Sequence, residues 1–182
     1  GENVQSYTET DYEHSLIELF KDTLGYDYVY GPEVERDFHS PLFHTVLEDS
    51  LYRINADLPQ EAIQEALSKL QHFENAELLQ KNTLFMDYLQ NGIEVQYFDQ
   101  GQRRSAIVYL ADYDNPARNS FIIANQWTYI ENSTKRPDMI LFLNGLPIVL
   151  IELKSPSREE TDASEAYRQI RNYIAEIPSM FI

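Results

Sequence analysis

The sequence predicts a mixed α/β (α+β) domain in which an N-terminal helical region precedes a central mixed sheet. Two changes of pattern along the chain support this prediction. Apolar residues recur at helical spacing up to residue 91, whereas residues 93–154 form short β-branched or aromatic segments separated by turn residues. Helical spacing returns over residues 163–177. Helices, then strands, then a helix packed on the sheet predict an α/β/α layered arrangement, with residues 1–182 as one domain.

Composition and length limit the class of protein. A chain of 182 residues with 43% hydrophobic residues can bury a core, and the absence of Cys excludes disulfides, zinc–thiolate sites and cysteine nucleophiles. The N-terminal segment is polar and acidic, which does not fit a signal peptide. The apolar run over residues 139–151 is shorter than the about 20 residues that span a bilayer. We therefore expect a cytoplasmic protein without a membrane segment.

Four helical segments are predicted before the strands. The first carries an apolar stripe and stops at Gly25; the stripe consists of Leu16, Ile17, Phe20 and Leu24. Further helices are expected over residues 42–55, 57–73 and 75–92, the last one ended by Asn91-Gly92. The part from about 42 to 91 is therefore expected to be a helical insertion.

Five strands are predicted after the helical region, over residues 93–98, 105–113, 120–130, 139–144 and 148–154. Asn144-Gly145 is the strongest hairpin signal in the chain, and it joins the last two strands. Both of these strands are continuously apolar, which predicts that they are covered on both faces and lie centrally in the sheet.

The pairing register of this hairpin decides whether two carboxylates meet. A two-residue loop with regular pairing would place Asp138 opposite Ile151, so that Asp138 and Glu152 would point to opposite faces. A three-residue loop, or a bulge in one strand, would instead pair Asp138 with Glu152. We predict that the loop is longer than two residues or that one strand is bulged.

Two facing carboxylates are costly unless a cation joins them. An all-oxygen pair selects a hard divalent ion such as Mg²⁺. Lys154 lies two residues after Glu152 and is therefore expected on the same face, where its ammonium could orient or deprotonate a water or stabilise a phosphate oxygen. The pattern predicts metal-assisted phosphodiester hydrolysis. The alternatives are a strand-entry carboxylate at Asp138 and a weak surface ion pair between Glu152 and Lys154.

These residues carry a family resemblance. Pro137-Asp138 followed by Glu152-Leu153-Lys154 resembles the PD-(D/E)xK nuclease pattern, and Gln169 and Tyr173 match the Gln-x-x-x-Tyr helix motif of one branch of that superfamily. The segments "NADLPQEAIQEAL", "ADYDNPARNSFIIANQWTY" and "RPDMILFLNGLPIVLIELK" resemble the N-terminal nuclease domain of the motor (R) subunit of type I restriction enzymes, in order over nearly the whole chain.

The resemblance implies a restriction-endonuclease-like fold and a Mg²⁺-dependent endonuclease that cuts double-stranded DNA. Asp138, Glu152 and the Leu153 carbonyl are then the expected metal ligands, with Lys154 as the residue that activates water. Gln169 and Tyr173 are expected to hold the DNA backbone or to order the water and the lysine; the alternative is a tyrosine partly in the core beside a polar neighbour. The resemblance also implies that the chain belongs to a longer subunit, with ATP-dependent helicase-type motor domains and with specificity and methylation subunits as partners.

Glu13 is a further candidate. It lies one turn before Leu16 and Ile17, on the inward side of the first helix, whereas Glu18 falls on the polar side. The family places an acidic residue of this helix near the metal, and Glu13 is the better match. The alternative is an ordinary glutamate in the first turn, favoured by the helix dipole.

The net charge of −16 is unusual for a protein that captures DNA by itself. Residues 1–134 hold 8 Lys and Arg against 23 Asp and Glu, whereas residues 135–182 hold 6 against 7. The acidic part would repel phosphate, so we expect the motor to deliver the DNA. The alternative function is a non-catalytic docking or DNA-guiding module of the same fold.

Overall fold

The computed structural model of the protein describes residues 9–71, 83–130 and 134–152. Four helices lie in these ranges: α1 Glu9–Glu18, which continues as a π-helical turn over Leu19–Thr23, α2 His44–Ile54, α3 Gln60–Gln71 and α4 Thr83–Asn91. The predicted helices are confirmed there. The first part of the fourth predicted segment and the helix predicted over 163–177 lie outside the described residues. Among the described helices, none is long and apolar enough to cross a membrane.

Within residues 9–71, 83–130 and 134–152, the main sheet contains four strands in the order β1-β4-β7-β8. The strands of the described part of the chain are β1 Asp27–Tyr30, β2 Ile93–Asp99, β3 Gln102–Val108, β4 Phe121–Asn125, β5 Tyr129–Ile130, β6 Thr134–Lys135, β7 Met139–Leu143 and β8 Leu146–Ile151. β1 runs parallel to β4, and the other neighbours in the main sheet are antiparallel, so the predicted mixed sheet is confirmed. β2 pairs with β3, and β5 with β6, in two small antiparallel sheets.

Hydrophobic cores lie on both faces of the main sheet. The larger core packs α1, α2 and α3 against the face that carries Ile123, Met139 and Leu141. The smaller core covers the face that carries Ile122 and Ile140; its aromatic members are Phe43, Trp127 and Phe142. Because neighbouring strand residues point to opposite faces, the continuous apolar runs of β4 and β7 serve both cores. The sheet therefore lies between two apolar layers, as the sequence predicted.

Two details of the strand prediction were wrong. The parallel strand β1 was not predicted. The strand expected over 105–113 ends at Val108, because the side chain of Asp112 accepts hydrogen bonds from the backbone N–H groups of Asp114 and Asn115 and forms a turn there. Within the described residues β8 pairs with β7, and its expected central position in the sheet stays a prediction.

The turn between β7 and β8 fixes the hairpin that carries the candidate site. Asn144 and Gly145 both adopt positive φ angles, 51° and 81°, which a tight two-residue hairpin turn requires. A Cβ atom on Gly145 would lie 2.5 Å from the backbone nitrogen of Leu47, so α2 approaches too closely for a larger residue. The carbonyl of Gly145 also accepts a hydrogen bond from the backbone N–H of Phe43, which ties the turn to the start of α2.

Candidate active site

A bulge in β8 sets the register of the two strands that carry the predicted carboxylates. The turn is two residues long, with Leu143 paired with Leu146, but Leu141 pairs with Val149, so that Ile148 is an extra residue in β8. Met139 then pairs with Ile151. The predicted bulge is therefore confirmed.

Extending this register by one residue places Asp138 opposite Glu152. Asp138 is half-buried and directly precedes β7, and Glu152 is exposed and directly follows β8. Residues directly opposite each other in an antiparallel pair have Cβ atoms about 5 Å apart. The two carboxylates are thus attached to neighbouring backbone positions at one end of the sheet, where solvent reaches at least one of them.

The backbone at Asp138 is held by the neighbouring strand. The N–H of Gln126, which follows β4, donates a hydrogen bond of 3.0 Å to the Asp138 carbonyl. A Cβ atom on Gly31, at the end of β1, would lie 2.7 Å from the Gln126 carbonyl oxygen, so only glycine permits this close approach. Three consecutive strands of the sheet therefore contact one another at the end where Asp138 lies.

Glu13 reaches the same end of the sheet from α1. It is half-buried, whereas Glu18 is exposed, which confirms the predicted inward orientation. The Nδ2 group of Asn125 donates a hydrogen bond of 2.5 Å to Oε1 of Glu13. Asn125 is the last residue of β4 and pairs with Met139, the chain neighbour of Asp138.

Strict alternation would direct Asp138 to the face opposite that of Asn125. The chain bends at Asp138, however, and the ladder of β4 and β7 ends at Met139. Glu13 is linked to this end of the sheet through Asn125, which lies opposite Met139, the chain neighbour of Asp138.

Tyr28 and Asn125 were not predicted from the sequence as part of this site. The Tyr28 hydroxyl donates a hydrogen bond of 2.9 Å to Oδ1 of Asn125. Burial raises the pKa of the Tyr28 hydroxyl, and the Glu13 carboxylate nearby adds to this rise, while the hydrogen bond with Asn125 acts in the opposite direction. The hydroxyl therefore remains a proton donor at neutral pH. The one sequence feature that points to Asn125 is its place as the polar last residue of the apolar segment "FIIAN".

A half-buried cation, Arg36, holds the loop that follows β4. The guanidinium of Arg36 lies 3.7 Å from the centre of the Trp127 ring and donates hydrogen bonds to the carbonyl oxygens of Thr128 and Ser40. Burial lowers the pKa of Arg36 to about 10, although Asp37 acts to raise it. The side chain therefore stays charged at neutral pH, and its contacts anchor the loop beside the candidate site.

The remaining predicted site residues, Leu153, Lys154, Gln169 and Tyr173, lie outside the described residues. Within the described residues, no group of three or more His, Cys, Asp and Glu side chains is arranged to hold a metal ion. The expected ligand set contains only two carboxylates, from Asp138 and Glu152, and a backbone carbonyl. These are all oxygen donors, and their chemistry fits a hard divalent ion such as Mg²⁺.

Comparison with known proteins identifies the family. Residues 6–181 match the family model described as "Type I restriction enzyme R protein N terminus", and the chain belongs to this family. The chain is 28% identical over 184 residues to the type I restriction enzyme HindI endonuclease subunit of Haemophilus influenzae, an alignment that covers 96% of this chain and 17% of that protein.

A second relative is provisionally named the type I restriction enzyme MjaIXP endonuclease subunit, from Methanocaldococcus jannaschii. It is 28% identical over 179 residues, which cover 93% of this chain and 17% of the relative. The chain thus spans about a sixth of the length of both proteins. The family predicted from the sequence is confirmed, and the chain is an N-terminal domain of a type I restriction enzyme R subunit with a restriction-endonuclease-like fold.

Proposed function

We propose that this domain is a Mg²⁺-dependent endonuclease that hydrolyses phosphodiester bonds of double-stranded DNA within a type I restriction enzyme. The observation that carries the proposal is the β8 bulge, because it aligns Asp138 with Glu152 at the end of the sheet. Regular pairing across the same turn would have placed the two carboxylates on opposite faces. The names of the relatives, which are endonuclease subunits, support the same activity.

In this proposal each residue has a separate task. The carboxylates of Asp138 and Glu152, with the carbonyl of Leu153, hold the ion, and Lys154 orients the attacking water or removes its proton. When bound, Mg²⁺ polarises the phosphoryl oxygen and lowers the pKa of a bound water. Glu13 accepts a hydrogen bond from this water at the same sheet end. Gln169 and Tyr173 hold the DNA backbone.

The acidity of the chain implies that DNA does not find this site by electrostatic attraction. With a net charge of −16, the domain opposes the approach of a phosphate backbone over distances of about a Debye length, roughly 8 Å at physiological salt. ATP-driven motor domains and the specificity and methylation subunits supply the attraction and the delivery. The domain would then need only local contacts to the segment that is cut.

The test uses the complete restriction enzyme that contains this chain, because DNA delivery depends on its other parts. Asp138→Ala and Lys154→Ala are each expected to reduce plasmid cleavage by about 100-fold or more, since each removes a group of the reacting centre. ATP hydrolysis and translocation should be unchanged. Glu18→Ala is the matched control, because this exposed carboxylate lies on α1 away from the site.

Normal cleavage by the Asp138→Ala enzyme, with translocation intact, would reject the catalytic assignment. The domain would then be a docking or DNA-guiding module of the same fold.

A further inference from the structure

Asn125 is a buried polar residue whose position is not explained by folding alone. Its side chain lies at the end of the apolar strand β4 and is only 6% exposed. Burying an amide is unfavourable unless its hydrogen bonds are made, and an apolar residue would fill the same space without this requirement. Both ends of this amide are bonded to side chains from distant parts of the chain, Tyr28 in β1 and Glu13 in α1.

The two hydrogen bonds determine the orientation of the amide. The Tyr28 hydroxyl donates to Oδ1, so the Nδ2 group points at the Glu13 carboxylate and donates to it. The reversed amide would place an oxygen acceptor against an ionised carboxylate, which has no proton to donate. The Glu13 carboxylate therefore selects this amide orientation, and the Tyr28 hydroxyl, which can donate or accept, completes it by donating to Oδ1.

The amide is also attached to a rigid part of the backbone. Asn125 pairs with Met139, and the next residue, Gln126, donates to the carbonyl of Asp138. Gly31 packs closely against this segment, since a Cβ atom there would overlap the Asn125 carbonyl oxygen. The position of the Glu13 carboxylate is thereby linked to that of Asp138 through contacts of the sheet.

We infer that Asn125 and Tyr28 are positioning residues that hold the Glu13 carboxylate at the metal-binding end of the sheet. This inference rests on the proposed nuclease function and adds two residues that act through Glu13 and not on the DNA. Without the amide, a half-buried glutamate on α1 has other rotamers available, and its carboxylate is no longer fixed relative to Asp138. Partners that orient a metal-site residue in this way typically contribute 10- to 100-fold to metal affinity or activity.

The test measures metal binding and cleavage separately in the complete enzyme. Mn²⁺ affinity is measured by electron paramagnetic resonance without ATP or DNA, for Asn125→Leu, Tyr28→Phe, Glu13→Gln and the double variant Asn125→Leu/Glu13→Gln. Asn125→Leu is expected to weaken Mn²⁺ binding and to slow plasmid cleavage, each by roughly 10-fold. Tyr28→Phe keeps the ring in place and is expected to have a smaller effect in the same direction. The double variant should be no worse than Glu13→Gln alone, because Asn125 acts through Glu13.

The control is Asn55→Leu, which removes another buried asparagine, at the end of α2. It should lower the melting temperature and leave Mn²⁺ affinity unchanged. If the effects of Asn125→Leu and Glu13→Gln multiply, or if neither Asn125→Leu nor Tyr28→Phe changes Mn²⁺ affinity, the positioning role is overturned. Tyr28→Phe decides the matter if Asn125→Leu does not fold. If one of these contradicting outcomes is found and the Asp138→Ala enzyme has lost plasmid cleavage, only the positioning role is overturned. If the Asp138→Ala enzyme cleaves plasmid DNA at the wild-type rate, the proposed function is overturned as well.

Discussion

Replacing Asn144 by alanine should destabilise the hairpin that carries Asp138 and Glu152. Asn144 is fully buried in the turn between β7 and β8. Its Oδ1 atom accepts a hydrogen bond of 2.7 Å from the backbone N–H of Ser120. Its Nδ2 group donates bonds of 2.9 Å to the carbonyl of Leu110 and to Oδ1 of Asn119. One side chain therefore connects the hairpin to the two segments that flank residues 111–118.

The expected cost follows from these bonds. Alanine leaves the N–H of Ser120 and the carbonyl of Leu110 without this partner, at about 1 to 3 kcal/mol for each buried group. The φ angle of 51° adds about 1 kcal/mol, because alanine tolerates the left-handed region less well than asparagine. Ser120 is only half-buried, so we expect a total loss of about 3 to 5 kcal/mol in the free energy of unfolding. This is a large share of the stability of an ordinary domain.

Urea denaturation followed by circular dichroism measures this loss. Asn144→Gly should be about 1 kcal/mol more stable than Asn144→Ala, because glycine relieves the backbone strain but not the lost hydrogen bonds. Asn91→Ala is the matched control, since the exposed amide of Asn91 bonds to Asp87 on the surface of α4; its effect should stay below about 1 kcal/mol. A loss below about 1 kcal/mol for Asn144→Ala would refute this account of the turn.

Three further predictions concern the core and the strands that support the site. Gly31→Ala should lower the free energy of unfolding by about 1 to 3 kcal/mol in urea denaturation, because the added methyl group meets the Gln126 carbonyl; wild-type stability would contradict the close approach. Trp127→Ala should cost about 3 to 5 kcal/mol in the same assay, since the indole is buried in the smaller core, and a loss below 1 kcal/mol would be inconsistent with that burial. Burial raises the pKa of Tyr26 from its ordinary value of 10.0 to about 12, so its stabilising contribution is complete below pH 10 and is lost as the pH rises through 12. Tyr26→Phe should therefore flatten the fall of the urea midpoint between pH 10 and 12, and an unchanged slope would contradict the shift.

The parts of the fold set by local patterns were predictable from the sequence. The apolar stripe of α1 identified Leu16 and Phe20 as core residues, and both are fully buried. Asn144-Gly145 identified the hairpin, and the need to align two carboxylates predicted a bulge, although it did not say where the bulge would be. These features depend on residue spacing, which a single sequence records directly.

Other parts depended on contacts between distant segments. β1 is four residues long and partly exposed, and it becomes a strand because it pairs in parallel with β4, almost a hundred residues later. The strand that was expected to continue past Val108 stops there. The Asp112 side chain accepts hydrogen bonds from the backbone N–H groups of Asp114 and Asn115, and the Asn55 side chain bonds to the backbone of Tyr109. The connection from Asn125 to Glu13 likewise spans 112 residues, and no spacing rule predicts it.

The most direct test of the proposed metal site is anomalous X-ray diffraction from crystals of the protein grown with Mn²⁺. We expect a manganese peak between Asp138 and Glu152, with one carboxylate oxygen from each about 2.1 Å from the ion. A manganese ion bound elsewhere, with the Asp138 carboxylate directed to the opposite face of the sheet from Glu152, would contradict the account.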